Sequence, residues 1–387
     1  MSSLGKKETE PSMSMSMEST PNPSLPEDLL LSCFARVSRL YYPTLSLVSK
    51  RFRSLLTSPE LYKARSLLGH TETCLYVCLG SYPRSRWYTL CLKPNQTLTC
   101  DTSEDEKKKK NESSGYVLAR VPIPSSPRVR FPGLVAVGSD IYVFEEERPY
   151  FEIKKERSSN VWILDCRTHT WREAPSLPVK LLTLSASFLN GKIYVAGSSW
   201  SWKNTVEVFN TKTQIWDTES FTGCDFYDSR STCIDGMFHV LQKRGEAVAH
   251  NSKKGRWYLV GGEMDYHKIY CSYCEIENVM YSITSNRVLR WYDTEVSKWR
   301  CLTGLEGLPK IPLGACVRLA DYGGKLVVLW EEYHYDLRQR VGYKKIWCAE
   351  IALERRQGPE IWGKVEWFDH VLTVESCDLV KVLSVSL

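Results

Sequence analysis

At 387 residues, with 43% hydrophobic and 25% charged side chains, the chain is long enough for one small domain beside one large β fold and can bury a core along most of its length. The formal charge of +6 is small, and its basic residues lie scattered among acidic ones, which argues against a nucleic-acid-binding stripe. No run of about 20 apolar residues occurs, so no membrane span is expected, and residues 1–23 lack the apolar core of a secretory signal.

In chain order, residues 1–21 are Ser, Met, Pro, Glu and Lys with little bulky apolar content, which predicts a disordered tail. Residues 22–68 then follow a helical period. Pro26 opens a run in which Leu29, Leu30, Cys33, Phe34 and Val37 recur every three or four positions. Pro43 precedes a second run, Leu45, Val48, Phe52, Leu55 and Leu56, read as one helix. Ser58-Pro59-Glu60 is an N-cap with Pro in the first helical turn, opening a third helix that Gly69 can end. Three helices are therefore expected.

From residue 73 to 387 the pattern changes to short β runs rich in Val, Tyr, Trp and Leu. Cys74–Leu79 and Trp87–Leu92 read as strands, and Lys93–Ser126 as a polar interruption with a disordered loop near 100–115. Thereafter the chain repeats. Turn residues at Asp140, Gly191, Gly236, Asn278 and Gly324 lie 51, 45, 42 and 46 residues apart, and each unit closes on a Trp: Trp171, Trp216, Trp257, Trp299 and Trp362. Four strands cannot bury both faces alone, so such units pack face to face around an axis as a mainly β propeller of about six blades. Closure is expected from pairing Val371–Val374 with the first two strands.

These residues carry a resemblance. The run from Leu25 to Tyr62, LPEDLLLSCFARVSRLYYPTLSLVSKRFRSLLTSPELY, resembles an F-box, and the repeats resemble the kelch blades fused to it in plant F-box/kelch proteins. The adjacent-glycine pair of kelch blades survives as Gly261-Gly262 and Gly323-Gly324 only. The resemblance implies a small three-helix F-box domain that binds the Skp-type adaptor, and through it the cullin, of an SCF-type ubiquitin ligase, with the kelch-type β-propeller holding a protein substrate. It places the adaptor contacts on Leu25, Pro26, Leu29, Leu45, Val48, Ser49 and Phe52. Some of these must also serve the domain's own core, and the sequence does not divide the two roles.

Loops carry the candidate substrate contacts, because blades make a rigid ring whose connections vary freely. Exposed aromatics with a few charges suit a binding surface, which singles out Trp200, Trp202, Phe226, Tyr227 and Tyr266. The competing assignment for each is ordinary β packing.

Enzymatic signals are poor, and no catalytic residue, metal or cofactor is expected. Cys271 and Cys274 have metal-ligand spacing with His267 nearby, but no second pair follows. Gly358 to Lys364 imitates a phosphate loop, yet Val365 stands where Ser or Thr would hold magnesium. Seven histidines show no pairing motif, and Lys107–Lys110 reads as a solvated charge run or an import signal. Fourteen cysteines without framework spacing fit a reducing compartment, cytoplasm or nucleus. Against the ligase reading stands a kelch scaffold outside any ligase, or a small-molecule enzyme built on a propeller.

Overall fold

The computed structural model describes residues 25–80, 85–93, 114–123, 126–127, 133–145, 159–219, 225–243, 246–261, 264, 272–338, 340–356, 358, 360–375 and 377–387. The tail at 1–21, nearly all of the 100–115 loop, the Lys107–Lys110 run, Tyr266, His267 and Cys271 lie outside these residues.

Four helices come first: α1 (Glu27–Arg36), α2 (Tyr42–Val48), α3 (Lys50–Leu56) and α4 (Pro59–Leu67), with a 3-10 turn at Arg39–Tyr41. Three helices were expected, and the second divides at Ser49. There the backbone is extended (φ −160°, ψ 162°) and the Ser49 hydroxyl accepts a hydrogen bond from the Phe52 N–H at 3.0 Å, so a serine cap restarts the helix in a new direction. Ser58 caps α4 in the same way, with Pro59 at its first position as the sequence predicts. Leu30, Phe34, Ala35, Tyr42, Leu55, Leu56 and Leu61 form the core of this small domain.

The ring follows as six four-stranded antiparallel sheets. Blade one holds β1 (Thr73–Gly80), β2 (Ser85–Leu92) and β3 (Tyr116–Arg120). Blade two holds β4 (Leu134–Val137), β5 (Asp140–Phe144), β6 (Val161–Asp165) and β7 (Thr170–Ala174). Blade three runs from β8 (Thr183–Leu189) through β9 (Lys192–Ser198) and β10 (Asn204–Asn210) to β11 (Ile215–Glu219). Blade four comprises β12 (Arg230–Ile234), β13 (Met237–Leu241), β14 (Ala247–Asn251) and β15 (Arg256–Val260). Blade five comprises β16 (Tyr273–Ile276), β17 (Val279–Ile283), β18 (Leu289–Asp293) and β19 (Lys298–Cys301). Blade six has long strands, β20 (Val317–Tyr322), β21 (Lys325–Asp336), β22 (Val341–Arg355) and β23 (Ile361–Val374). The last strand, β24 (Asp378–Ser386), returns to pair with β1 as the innermost strand of blade one.

Two expectations need correction. Lys93–Ser126 is not wholly a loop, since β3 lies inside it. The closing strand is β24, not Val371–Val374, which ends β23 and pairs with β22. Leu379, Val382 and Val385 supply the apolar faces that closure requires, each at most 3% exposed.

The repeat has a local cause. The first two strands of blades three, four, five and six join through dipeptides with positive φ at both positions: Asn190-Gly191, Asp235-Gly236, Glu277-Asn278 and Gly323-Gly324. That backbone matches the twist of a tight hairpin, and Asn, Asp and Gly adopt it at least cost. The recurrent Trp is the second residue of each outermost strand in blades two to six. Trp171 of blade two lies 6.4 Å, ring to ring, from Trp87 of blade one, and Trp216 of blade three lies 6.2 Å from Phe144 of blade two. The apolar clusters of the ring each straddle two neighbouring blades, as inter-blade packing demands.

Candidate docking surfaces

The helical domain offers an apolar face that its own core does not use. Leu25 is 59% exposed, Leu29 54%, Leu47 71% and Val48 64%. Pro26 and Ser49 are exposed beside them, while Leu45 and Phe52 are half-buried against the domain core. Arg51 donates to the Leu25 carbonyl at 2.9 Å, and Phe52 meets Phe34 edge-on at 4.8 Å, so the chain before α1 and the start of α3 lie side by side. The seven positions that the resemblance assigned to an adaptor thus divide. Leu25, Pro26, Leu29 and Val48 face outward with bare apolar surface, Ser49 is committed to its cap, and Leu45 and Phe52 serve core and surface together. Leu47 was not foreseen, because a continuous second helix would have placed it off the apolar stripe.

The face is held at a fixed place on the ring. Arg65, 2% exposed, donates to the carbonyls of Val37 at 2.8 Å and His70 at 2.7 Å, to the Tyr42 hydroxyl at 3.1 Å and to Glu72 Oε1 at 2.8 Å. The same Glu72 oxygen accepts from the Arg39 N–H, and the Glu72 backbone pairs with Leu387 in both directions. Tyr62 of α4 enters the cluster between blades one and two beside Cys74 and Tyr76. Burial pushes the Tyr62 hydroxyl up to about 12 and the Cys74 thiol up to about 11. Beside this seam a cavity of about 420 Å³ opens between the domains, with Arg39, Pro43, Tyr62, Thr89, Arg120 and His169 on its wall.

Topology sorts the loops into two faces. The helical domain enters at the start of β1 and shares that cavity with Thr89, Leu90, the β6–β7 turn with Arg167 and His169, and Tyr322 at the β20–β21 turn. The opposite, distal face therefore carries the connections between second and third strands and those from one blade to the next. Trp200 and Trp202 lie there, in the β9–β10 loop, and Tyr227 in the β11–β12 connection. Trp202 is 67% exposed, Trp200 42% and Tyr227 37%, and the rings of Trp202 and Tyr227 lie 5.5 Å apart. Trp202 also has φ +58°, a strained backbone for a bulky residue, which presents its ring to solvent. Phe226 requires a correction. It is fully enclosed between blades three and four, and its N–H donates to Asn204 Oδ1 at 3.2 Å, so it anchors the connection and faces no partner. Tyr266 lies outside the described residues.

The inner strands β4, β8, β12, β16, β20 and β24 line a central cavity of about 430 Å³. The Gly358–Lys364 segment spans the β22–β23 connection and runs into a strand, so it lacks the helix N-terminus that a phosphate loop uses. Among the described residues no group of three or more His, Cys, Asp or Glu side chains could hold a metal ion.

Comparison with known proteins agrees with this division. Residues 23–64 match the F-box domain, and residues 87–372 match the family described as FKB95, Kelch-repeats domain. An F-box/kelch-repeat protein of Arabidopsis thaliana is 55% identical over 382 residues, covering 94% of this chain and 100% of the relative. A putative F-box/kelch-repeat protein of the same plant is 52% identical over 372 residues, covering 92% and 93%. A third F-box/kelch-repeat protein from it is 47% identical over 381 residues, covering 94% of each.

Proposed function

The chain belongs to the F-box/kelch-repeat family, and from that premise we propose that it is the substrate-recognition subunit of an SCF-type cullin–RING ubiquitin ligase. In this reading the bare face at Leu25, Pro26, Leu29 and Val48, extended by Leu47, seats a Skp-type adaptor and through it a cullin. One observation carries it: on a domain of about 45 residues the four large apolar side chains of this one face, Leu25, Leu29, Leu47 and Val48, each stand more than half exposed, where a monomer would bury them. Another polypeptide covers such a face.

The distal rim, with Trp200, Trp202 and Tyr227, then holds the protein to be ubiquitinated. The chain performs no catalysis of its own. It raises the concentration of a target lysine near the charged conjugating enzyme, to about millimolar order for a short rigid connection. The packed seam at Arg65 and Glu72 suits that role, because it fixes the direction in which the target is presented. Cytoplasm or nucleus is the setting the reading requires.

Co-purification tests it. The wild-type chain should recover a Skp-type adaptor and a cullin, and Leu25→Ala with Pro26→Ala should lose both while the propeller stays folded. Undiminished capture by the double variant would overturn the reading.

A further inference from the structure

Blade six departs from its neighbours in length. β21 has 12 residues and β22 has 15, while the second and third strands of blades two, four and five have five. The surplus of β21 and the start of β22 project from the distal face, since the Asp336–Val341 connection joins second and third strands. β20 pairs with β21 only up to Val317↔Trp330, and β23 ends at Val374, opposite Lys344. Beyond Trp330 the inner edge of β21 has no β20 partner, and beyond Lys344 only two strands remain, paired from His334↔Tyr343 to Asp336↔Val341.

The register fixes which backbone groups this ribbon leaves unused. The Glu331 N–H donates to the Cys316 carbonyl at 3.1 Å, so Glu331 turns its backbone toward β20. Alternate residues of a strand share a side, so the N–H and C=O groups of Tyr333 and Tyr335 point the same way. There the chain before β20 has left the sheet, drawn toward blade five, where Arg287 donates to the carbonyls of Pro312 at 3.1 Å and Ala315 at 2.8 Å. Among the described residues nothing pairs with that edge. Tyr333 is 65% exposed and Tyr335 53%. The Tyr333 ring packs across the ribbon on Gly342, where an added Cβ would stand 2.4 Å from its hydroxyl.

We propose that the inner edge of β21 at Tyr333 and Tyr335 receives an extended, acid-bearing segment of the target protein as a third strand. This rests on the adaptor reading above and names the kind of target it presents. A two-stranded ribbon clear of its sheet is marginal in water, and a third strand supplies the missing partner for its backbone. The edge lies on the side of the inner strands, whose distal ends carry Arg230, Arg318 and Lys381. Arg230 meets Asp228 at 3.4 Å, Arg318 donates to the Val380 carbonyl at 2.6 Å and Lys381 to the Leu134 carbonyl at 2.9 Å. Enclosure lowers the Lys381 ammonium to about 7, with Arg318 and Arg230 near enough to push the same way, so three basic groups stand together where the segment would continue inward.

The test uses the full chain bound to its adaptor and a displayed library of random 12-residue peptides as the probe. Enriched peptides should be rich in Asp and Glu and should slow hydrogen exchange at the Tyr333 and Tyr335 amides. Tyr335→Pro removes one edge donor without breaking the β21–β22 ladder, and should weaken the selected peptide about tenfold or more, whereas Tyr335→Ala, which keeps the donor, should weaken it by less than about threefold. Replacing the peptide's acids by amides should cost about tenfold as well. Failure to enrich any peptide, equal binding by Tyr335→Pro, unchanged exchange at both amides, or indifference to the acids would overturn the proposal. Loss of adaptor binding by the wild-type chain in the same preparation would instead refute the ligase reading.

Discussion

Arg65 and Glu72 meet across the seam between the helical domain and the propeller, guanidinium nitrogen to carboxylate oxygen at 2.8 Å, with the arginine 2% exposed. The pair joins α4 to the segment that enters the first blade. The same guanidinium satisfies the carbonyls of Val37 and His70, so it also closes the helical domain on itself.

Removing that arginine should loosen two things together. Arg65→Met keeps much of the packing but leaves buried acceptors unpaired, which costs about 3 kcal/mol at such sites. Urea unfolding should show the helical domain melting earlier than the propeller, and small-angle scattering should show a broader spread of inter-domain angles. Wild-type unfolding and scattering from the variant would count against a rigid seam.

Ending the chain at Glu375 removes β24 and leaves blade one without its innermost strand. The β1 edge from Thr73 to Gly80 would then be unpaired, and the apolar cluster between blades six and one would lose Leu379 and Val382. An uncovered inner strand is a template for aggregation. The truncated chain should run as aggregate on gel filtration and lose its near-ultraviolet dichroism. A monomeric product with the wild-type melting transition would show that closure lies elsewhere.

Acid should weaken the ring at His169, whose Nε2 lies 2.9 Å from the Tyr76 hydroxyl. Burial, with Arg39 adding to it, holds this imidazole down to about 4, below its ordinary 6.5. Between those values the unfolded chain binds the proton and the folded chain does not. Stability from this group is therefore full above pH 6.5 and falls as pH drops toward 4, by at most about 1.4 kcal/mol per pH unit. Urea midpoints measured from pH 7 to 4.5 should fall more steeply for the wild type than for His169→Gln. Parallel curves would assign the acid sensitivity to other groups.

Much of this was legible in the sequence because its signals are local. Hairpin dipeptides such as Asn190-Gly191 and a tryptophan such as Trp216 at a set place in each unit are short-range requirements of one blade. What failed depended on geometry between distant parts. Ser49 reads as a tolerated helix residue until its side chain is seen capping Phe52. Val371–Val374 reads as the last strand of the ring, yet the long strands of blade six take it up as the end of β23 and leave closure to Asp378–Ser386. Phe226 sits in a connection, as exposed aromatics do, yet an aromatic in a loop is as useful for pinning that loop to the core. Residue type alone does not separate the two.

The central claim is that the face at Leu25, Leu29, Leu47 and Val48 exists for another polypeptide, and a calorimetric titration of a Skp-type adaptor into the full chain tests it most directly. Leu29→Asp with Val48→Asp should weaken binding by about 100-fold or more, about 2.7 kcal/mol, while the melting temperature moves by less than about 2 °C, because neither side chain serves the core. Wild-type affinity from that double variant would contradict the account.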